Sequence, residues 1–165
     1  MLSMMEGVKK MASRKIDGIL NERLIDLDLV ARNKREAIEG LVDRLYEVGN
    51  VTDREDFIKD VFEREKEGVT GIGNHIAIPH GKSDAVKATS IAVGRVKDGI
   101  PWESLDREPV RVVILFAVRN ADTTNVHLKL LSEVAMALAD DDTLKRLLET
   151  DDKKEIIHLL SQEMN

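Results

Sequence analysis

The chain has 165 residues, of which 42% are hydrophobic and 34% are charged, and its formal net charge is −6. This length suits one globular domain that buries roughly 70% of its unfolded surface. The acidic balance argues against nucleic acid or an anionic membrane surface as the main partner. The chain has no cysteine, which excludes disulfides, thiolate metal ligands and cysteine nucleophiles and fits a reducing cytoplasm. No apolar run approaches the ~20 residues of a membrane span, so we expect no direct membrane insertion.

The first twenty residues differ from the rest in charge. They have a net charge of +2, which leaves −8 for the remainder, because four cations outnumber two carboxylates: Lys9, Lys10, Arg14, Lys15, Glu6 and Asp17. No continuous apolar core of a secretory signal follows the start. We interpret residues 1–20 as a helical N-terminal extension, frayed or packed on a partner, and residues 21–165 as the folded domain.

The first part of the domain predicts one extended segment and two helices. Residues 24–30 alternate apolar and acidic side chains, as in a half-buried strand or an extended lead-in. Asn33 followed by Glu36 is a capping pattern, and the helix that it opens is expected to end at Gly49. Residues 52–55 repeat the capping pattern before a second amphipathic helix, which Gly68 stops.

A short apolar run at residues 76–78 predicts a buried strand. Pro79 ends that strand, because proline fixes φ and lacks a backbone donor. His80 follows at once, and Gly81 behind it permits a turn. An imidazole at the carboxyl end of a strand lies where open α/β sheets collect ligands and chemistry. A surface histidine at a strand end would give the same pattern.

The second half predicts two strands and three helices. Residues 89–96 read as a strand that ends in a turn at 98–101, and residues 110–118 as a central strand covered on both faces. Thr124 or Asn125 is expected to cap a helix that runs through residue 139, and shorter helices are expected near 143–148 and 152–162. This order predicts the α/β class: a single domain with a mixed, largely parallel β-sheet flanked by helices on both faces.

Several familiar motifs fail on spacing. In a phosphate-binding P-loop that ends at residues 81–83, and in a dinucleotide fingerprint that opens at 71–73, a required glycine would fall on Ile76. No G-x-S-x-G elbow is present. His75 and His80 are five residues apart and share a face neither on a strand nor on a helix, which argues against zinc. We therefore expect no metal and no cofactor.

What remains is histidine chemistry. His127 opens the helix after residue 125, where free amides and the helix dipole keep an imidazole neutral and attract an anion; a partly buried core histidine is the alternative. Arg64 ends the helix before residue 71 and could reach the same crevice, or remain a solvated helix-end charge. A neutral imidazole is a good nucleophile toward phosphorus, and an arginine with a second imidazole would stabilise the phosphoryl oxygens.

One signature goes beyond these general patterns. Glu65, six further residues, and the segment 72–81 (Ile-Gly-Asn-His-Ile-Ala-Ile-Pro-His-Gly) resemble the signature of the enzyme IIA domain of the bacterial sugar phosphotransferase system, fructose/mannitol type. The resemblance continues at 99–106, 109–110 and 127–128, and covers roughly residues 24–160. The fold of that family is a mixed β-sheet flanked by helices.

The resemblance implies a phosphotransferase of the cytoplasm that needs no cofactor. His80 matches the phosphoacceptor, which takes phosphate from the phosphohistidine of the carrier protein HPr and passes it to a IIB domain during sugar uptake by a membrane IIC component. Arg64 and His127 match the residues that surround the phosphoryl group.

Departures from the family pattern leave alternatives open. Family members often have glycine where His75 stands, so this side chain is expected to crowd or tune the site. The chain has neither the cysteine of a IIB domain nor the spans of a IIC domain, and so resembles a IIA that is free-standing or cut from a larger protein. A regulatory, nitrogen-related IIA module is the main alternative, although the segment 102–106 looks more fructose-like. A metal-binding or inert member of the fold is a third.

Overall fold

The computed structural model of the protein describes residues 18–122 and 124–162. In those residues six strands form one sheet: β1 Ile25–Asp26, β2 Gly71–Gly73, β3 Ile76–Ala77, β4 His80–Ser83, β5 Ser90–Ile100 and β6 Val110–Arg119. Five α-helices accompany them: α1 Lys34–Glu47, α2 Arg54–Glu65, α3 Thr124–Leu138, α4 Asp141–Glu149 and α5 Lys153–Ser161. None of these helices has the length and apolar character needed to cross a bilayer.

Strand β6 is the centre of the sheet. It pairs antiparallel with β5 on one side and parallel with both β3 and β4 on the other. Strand β1 lies parallel to β5, and β2 pairs antiparallel with β3 at the opposite edge. The predicted α/β fold with a mixed, largely parallel sheet is therefore confirmed.

Alternate side chains of β6 enter two separate hydrophobic cores, as the two-residue period of a strand requires. Helices α1 and α2 pack on one face, where Val113 and Leu115 meet residues such as Leu41 and Phe57. Helices α3, α4 and α5 cover the other face, where Ile114 and Phe116 lie in the second core. The expectation of helices on both faces is confirmed.

The predicted starts of α1 and α2 are confirmed, because a side chain caps the first turn of each helix. Asn33 accepts a hydrogen bond from the backbone N–H of Glu36, and Asp53 accepts one from that of Asp56. Gly49 follows α1 with φ of +83°, the left-handed conformation that glycine adopts without strain. The cap predicted for α3 is wrong, because Thr124 begins that helix and Asn125 lies within its first turn.

Two strand boundaries also differ from expectation. Of the alternating stretch 24–30, only Ile25–Asp26 pairs in the sheet, directly after a 3-10 helix at Glu22–Leu24. The turn predicted at 98–101 is wrong: β5 runs on to Ile100, and its register with β6 shifts after Arg95. Gly99 has φ of +77° in this irregular part of β5. Its left-handed conformation therefore accommodates the register shift of the strand and does not form a turn.

Most of the predicted N-terminal extension, residues 1–17, lies outside the described residues. Of the last residues assigned to it, Leu20 is buried in the second core together with Ile25 and Leu160. Leu20 therefore contributes to the packing of the domain.

Candidate functional site

His80 is the first residue of β4, an edge strand that pairs with β6 and places His80 beside Phe116. The chain does not turn at Gly81 as predicted; it continues along β6 after the interruption at Ile78 and Pro79. A Cβ atom at Gly81 would lie 2.8 Å from Cγ2 of Val61 and 2.9 Å from a ring carbon of Phe57. The glycine is therefore required by close packing of α2 on β4.

The orientation of the His80 ring is fixed by one backbone group. Its Nδ1 lies 3.2 Å from the carbonyl oxygen of Ile78. Because a carbonyl only accepts, Nδ1 carries the proton in the neutral ring, and Nε2 keeps its lone pair. The residue is only 8% exposed, so most of its side chain is removed from solvent.

His127 projects from the first turn of α3 onto the same site. The ring centroids of His80 and His127 are 5.4 Å apart and their planes are inclined by 65°. Nε2 of His127 is buried and has no hydrogen-bond partner within the described part of the chain. A buried polar atom without a partner is costly unless something else occupies the position beside it.

Arg64, in the last turn of α2, supplies the cation of the site. Its Nη1 is likewise buried without a partner among residues 18–122 and 124–162, while its Nε lies 3.6 Å from a carboxylate oxygen of Glu67. The positive charge of Arg64 acts on both His80 and His127. The structure thus brings together all three residues that the sequence singled out.

The site lowers the pKa of both histidines. For His80, burial is the main cause, and the charge of Arg64 adds to it, as does His127 when it is protonated, against the opposing effects of the Ile78 carbonyl and Glu65. For His127, burial again comes first, followed by the charges of Lys82 and Arg64. Both imidazoles are therefore neutral at neutral pH, and His80 is held in the nucleophilic form.

Two residues of the site were missed from the sequence. Lys82 follows His80 by two positions, so it lies on the same side of β4, and its charge reaches His127. The strand period was the available signal. Glu65 entered only as part of the signature, yet its side chain is 5% exposed and its charge acts on His80.

His75 does not crowd His80, contrary to expectation. It precedes β3, at the opposite end from His80, where its Nδ1 lies 2.8 Å from the carbonyl oxygen of Pro109. Its φ is +66°, a conformation that favours glycine. Within the residues that the structure describes, no group of three histidine, aspartate or glutamate side chains is placed to hold a metal ion.

The arrangement suits one kind of chemistry. An imidazole with a free lone pair lies beside a second imidazole and within the field of a guanidinium group, and one nitrogen of each of these two neighbours is buried without a partner among the described residues. Such donors match the oxygens of a tetrahedral dianion better than they match a neutral ligand.

Comparisons with known proteins agree with this chemistry. A family model described as "Phosphoenolpyruvate-dependent sugar phosphotransferase system, EIIA 2" matches residues 18–163. The fructose-specific EIIABC component of Bacillus subtilis is 35% identical over 148 residues, which are 90% of this chain and 23% of that protein. The fructose-specific EIIA component of Haloferax volcanii is 34% identical over 139 residues, 84% of this chain and 90% of that protein. The chain thus spans about a quarter of the first relative and most of the second.

Solved structures of the same fold are also similar. The nitrogen regulatory protein IIA-Ntr of Neisseria meningitidis superposes with a TM-score of 0.80 at 28% identity, covering 88% of this chain and 98% of that one. A complex of enzyme IIA-Mtl with phosphorylated enzyme IIB-Mtl of Escherichia coli gives a TM-score of 0.73 at 28% identity, covering 87% and 97%.

Proposed function

The chain belongs to the EIIA 2 family of the phosphoenolpyruvate-dependent sugar phosphotransferase system, and we propose that it relays phosphate during sugar uptake. In this relay His80 accepts the phosphoryl group from phospho-HPr and passes it to a IIB domain, which serves a membrane IIC component. The observation that carries the proposal is the contact of the His80 ring with that of His127, beside the charge of Arg64, where Nη1 of Arg64 and Nε2 of His127 are buried without a partner among the described residues.

The reaction is a transfer between two imidazoles. The lone pair on Nε2 of His80 forms a bond to phosphorus while the P–N bond to the donor histidine breaks, and that electron pair stays on the donor nitrogen. If the donor is a phosphoimidazolium, it leaves as neutral imidazole, and His80 becomes the phosphoimidazolium. The Nδ1–H of His80 donates to Ile78 before and after transfer, so no proton has to move.

Arg64 and His127 have complementary roles in this proposal. The Arg64 guanidinium places positive charge at the equatorial oxygens, where negative charge is spread in the transition state. His127, neutral because its pKa is lowered, donates from Nε2 to the same group. Neither residue exchanges a covalent bond with phosphorus.

The solved complex of a relative and the exposed residues beside His127 support the proposed partners. The IIA-Mtl and IIB-Mtl complex supports transfer to a IIB domain. Exposed Val126 and Leu128 flank His127, and they offer an apolar contact surface at the site for a transient partner. The cysteine-free composition fits the reducing cytoplasm that we propose as its location.

The test is phosphoryl transfer in solution. Incubation of the chain with phospho-HPr should give an acid-labile phosphohistidine, which a cognate IIB domain then removes. His80→Ala should abolish the label, whereas His158→Ala, which changes another histidine of the chain, should leave it intact. Labelling that persists in His80→Ala would refute the assignment.

A regulatory role is a second candidate, favoured by the likeness to IIA-Ntr and by the nitrogen regulatory protein of Klebsiella oxytoca, 30% identical over 150 residues. In that role His80 would take phosphate, but the phosphorylation state would only switch binding to another protein. Rapid onward transfer to a IIB domain supports the relay, and a stable phosphorylated form that no IIB domain discharges supports regulation.

A further inference from the structure

We propose that Thr70 is a positioning residue for the reaction at His80, because it holds Ile78, the residue whose carbonyl oxygen fixes the tautomer of the imidazole. This inference rests on the proposed function and deepens it. Thr70 lies outside the three residues placed around the phosphoryl group, in the segment between α2 and β2, and it is 3% exposed.

The Thr70 hydroxyl joins two separate parts of the chain. Its Oγ1 donates to Oε1 of Glu65 at 2.7 Å and accepts from Nε1 of Trp102 at 3.0 Å. Glu65 belongs to the last turn of α2, beside Arg64, and Trp102 follows β5. The Thr70 hydroxyl therefore links the C-terminal end of α2, which contains Arg64, to the loop after β5.

The backbone of Thr70 continues the connection to His80. Its carbonyl oxygen accepts from the N–H of Ile78 at 2.9 Å, and the carbonyl oxygen of Ile78 accepts from Nδ1 of His80 at 3.2 Å. Ile78 lies in the gap between β3 and β4, and the next residue, Pro79, has no N–H. The bond from Thr70 thus holds the amide on the N-terminal side of Ile78, and Ile78 presents its carbonyl oxygen, in the following peptide unit, to Nδ1 of His80.

The far side of this network is anchored firmly. Nζ of Lys34 lies 3.0 Å from Oε2 of Glu65 and 2.6 Å from Oε2 of Glu103. The backbone of the next residue, Gly71, also packs closely against the loop after β5, because a Cβ atom there would lie 2.5 Å from the carbonyl oxygen of Glu103. These contacts hold Thr70 in place. A shift of its backbone would move Ile78 through the hydrogen bond between them.

A purely structural role would also make Thr70 sensitive to change. Removing its hydroxyl leaves Oε1 of Glu65 and Nε1 of Trp102 without that partner, which lowers stability whatever happens at His80. The deciding measurement is therefore the tautomer of His80 in the folded, unphosphorylated protein. Long-range ¹H–¹⁵N spectra of the imidazole report which ring nitrogen carries the proton.

Three variants make the test specific. Thr70→Val removes the hydroxyl at nearly constant shape, and Thr70→Ser retains it. Thr143→Val is the matched control, because Thr143 is also buried, at 1% exposure, and its Oγ1 donates to Oδ2 of Asp140 at 2.9 Å. Thr143 lies in α4, which packs on the opposite face of the sheet from α2.

We expect wild type, Thr70→Ser and Thr143→Val to keep His80 with Nδ1 protonated and Nε2 free. In Thr70→Val the tautomers should mix, and phosphorylation by phospho-HPr should slow roughly 10- to 100-fold, the range that small misplacements of a reacting group cause. A wild-type tautomer in folded Thr70→Val would overturn the proposal, as would a mixed tautomer with an unchanged rate.

Two further outcomes are also decisive. If Thr70→Val does not fold, Trp102→Phe replaces it, because that change removes the N–H donor to Thr70 and leaves the Thr70 side chain in place, although it also shortens a ring that lies beside Lys34. It should shift the tautomer in the same direction, and no shift would overturn the proposal. If wild type takes no phosphate from phospho-HPr, the relay function fails, while the tautomer comparison still decides the positioning role.

Discussion

The imidazole of His127 meets that of His80 edge to face, with ring centroids 5.4 Å apart. The two rings come from different elements, the first turn of α3 and the start of β4, where His80 pairs in register with Phe116 of the core that α3 covers. Burial is the main cause that lowers the pKa of each, and in the proposed relay His80 offers a lone pair while His127 offers a hydrogen-bond donor.

Replacing His127 by alanine should slow phosphorylation of His80 without preventing it. The change removes a donor to the transferred group but leaves the nucleophile, and loss of one such donor typically costs about 10²–10³-fold in rate. His127→Gln, which keeps an N–H donor, should retain more activity. Single-turnover kinetics with phospho-HPr measure the rates, and equal rates for wild type and His127→Ala would contradict the donor role.

Arg64 should be sensitive to shape as well as to charge. Arg64→Lys keeps the charge but loses the planar fork, whereas Arg64→Ala loses both, so we expect the rate to fall in the order arginine, lysine, alanine. The loss in Arg64→Ala should be on the order of 10²-fold or more. Lys66→Ala is the control, because Lys66 is exposed and paired with Glu63. A rate in Arg64→Ala equal to that of the control would exclude Arg64 from the reaction.

The pH dependence follows from the direction of the shift at His80. Its pKa lies below the ordinary 6.5, so the neutral, nucleophilic ring persists to lower pH than in an unperturbed histidine. The rate should therefore be level at neutral pH and fall only below 6.5, as protonation removes the lone pair. In Arg64→Ala the pKa of His80 should rise, because one lowering charge is gone. NMR titration of the His80 ring gives both values, and a wild-type midpoint above 6.5 would contradict the assignment.

The sequence predicted the fold well because its signals were local and strongly periodic. The run 110–118 could only be a strand buried on both faces, and Asn33 with Gly49 bounded α1 by side-chain and backbone chemistry. It failed where tertiary contacts override local preference. Gly99 looked like a turn but lies within β5, and Gly81 looked like a turn but is required by the approach of Val61 and Phe57.

For the candidate site too, the sequence predicted the residues with local signals and missed one that depends on tertiary contacts. The signature and the helix start singled out His80, Arg64 and His127, and the structure brings these three together. Thr70 could not be recognised, because its importance depends on hydrogen bonds to two other side chains. Glu65 lies across the segment between α2 and β2, and Trp102 is distant in sequence. Such networks are specified by packing and leave no periodic trace in the chain.

The last prediction concerns the contact that supports the nucleophile from behind. Gly81→Ala places a methyl group 2.8 Å from Cγ2 of Val61 and 2.9 Å from a ring carbon of Phe57, both fully buried, so α2 and β4 must separate. Overpacking of this kind costs about 1–3 kcal/mol of unfolding free energy, which corresponds to a fall in Tm of roughly 2–12 °C for a domain of this size. Thermal unfolding followed by circular dichroism measures the change.

Gly68→Ala is the matched control, because a Cβ atom there meets nothing within 4 Å and Gly68 does not have a positive φ. Its Tm should stay equal or rise slightly, since alanine reduces the entropy of the unfolded chain. The displaced β4 in Gly81→Ala should also move His80 relative to His127, so phosphorylation should slow even at temperatures where the variant is fully folded. A Gly81→Ala protein with wild-type Tm and rate would mean that α2 does not press on β4, and that the position of His80 is set by β6 alone.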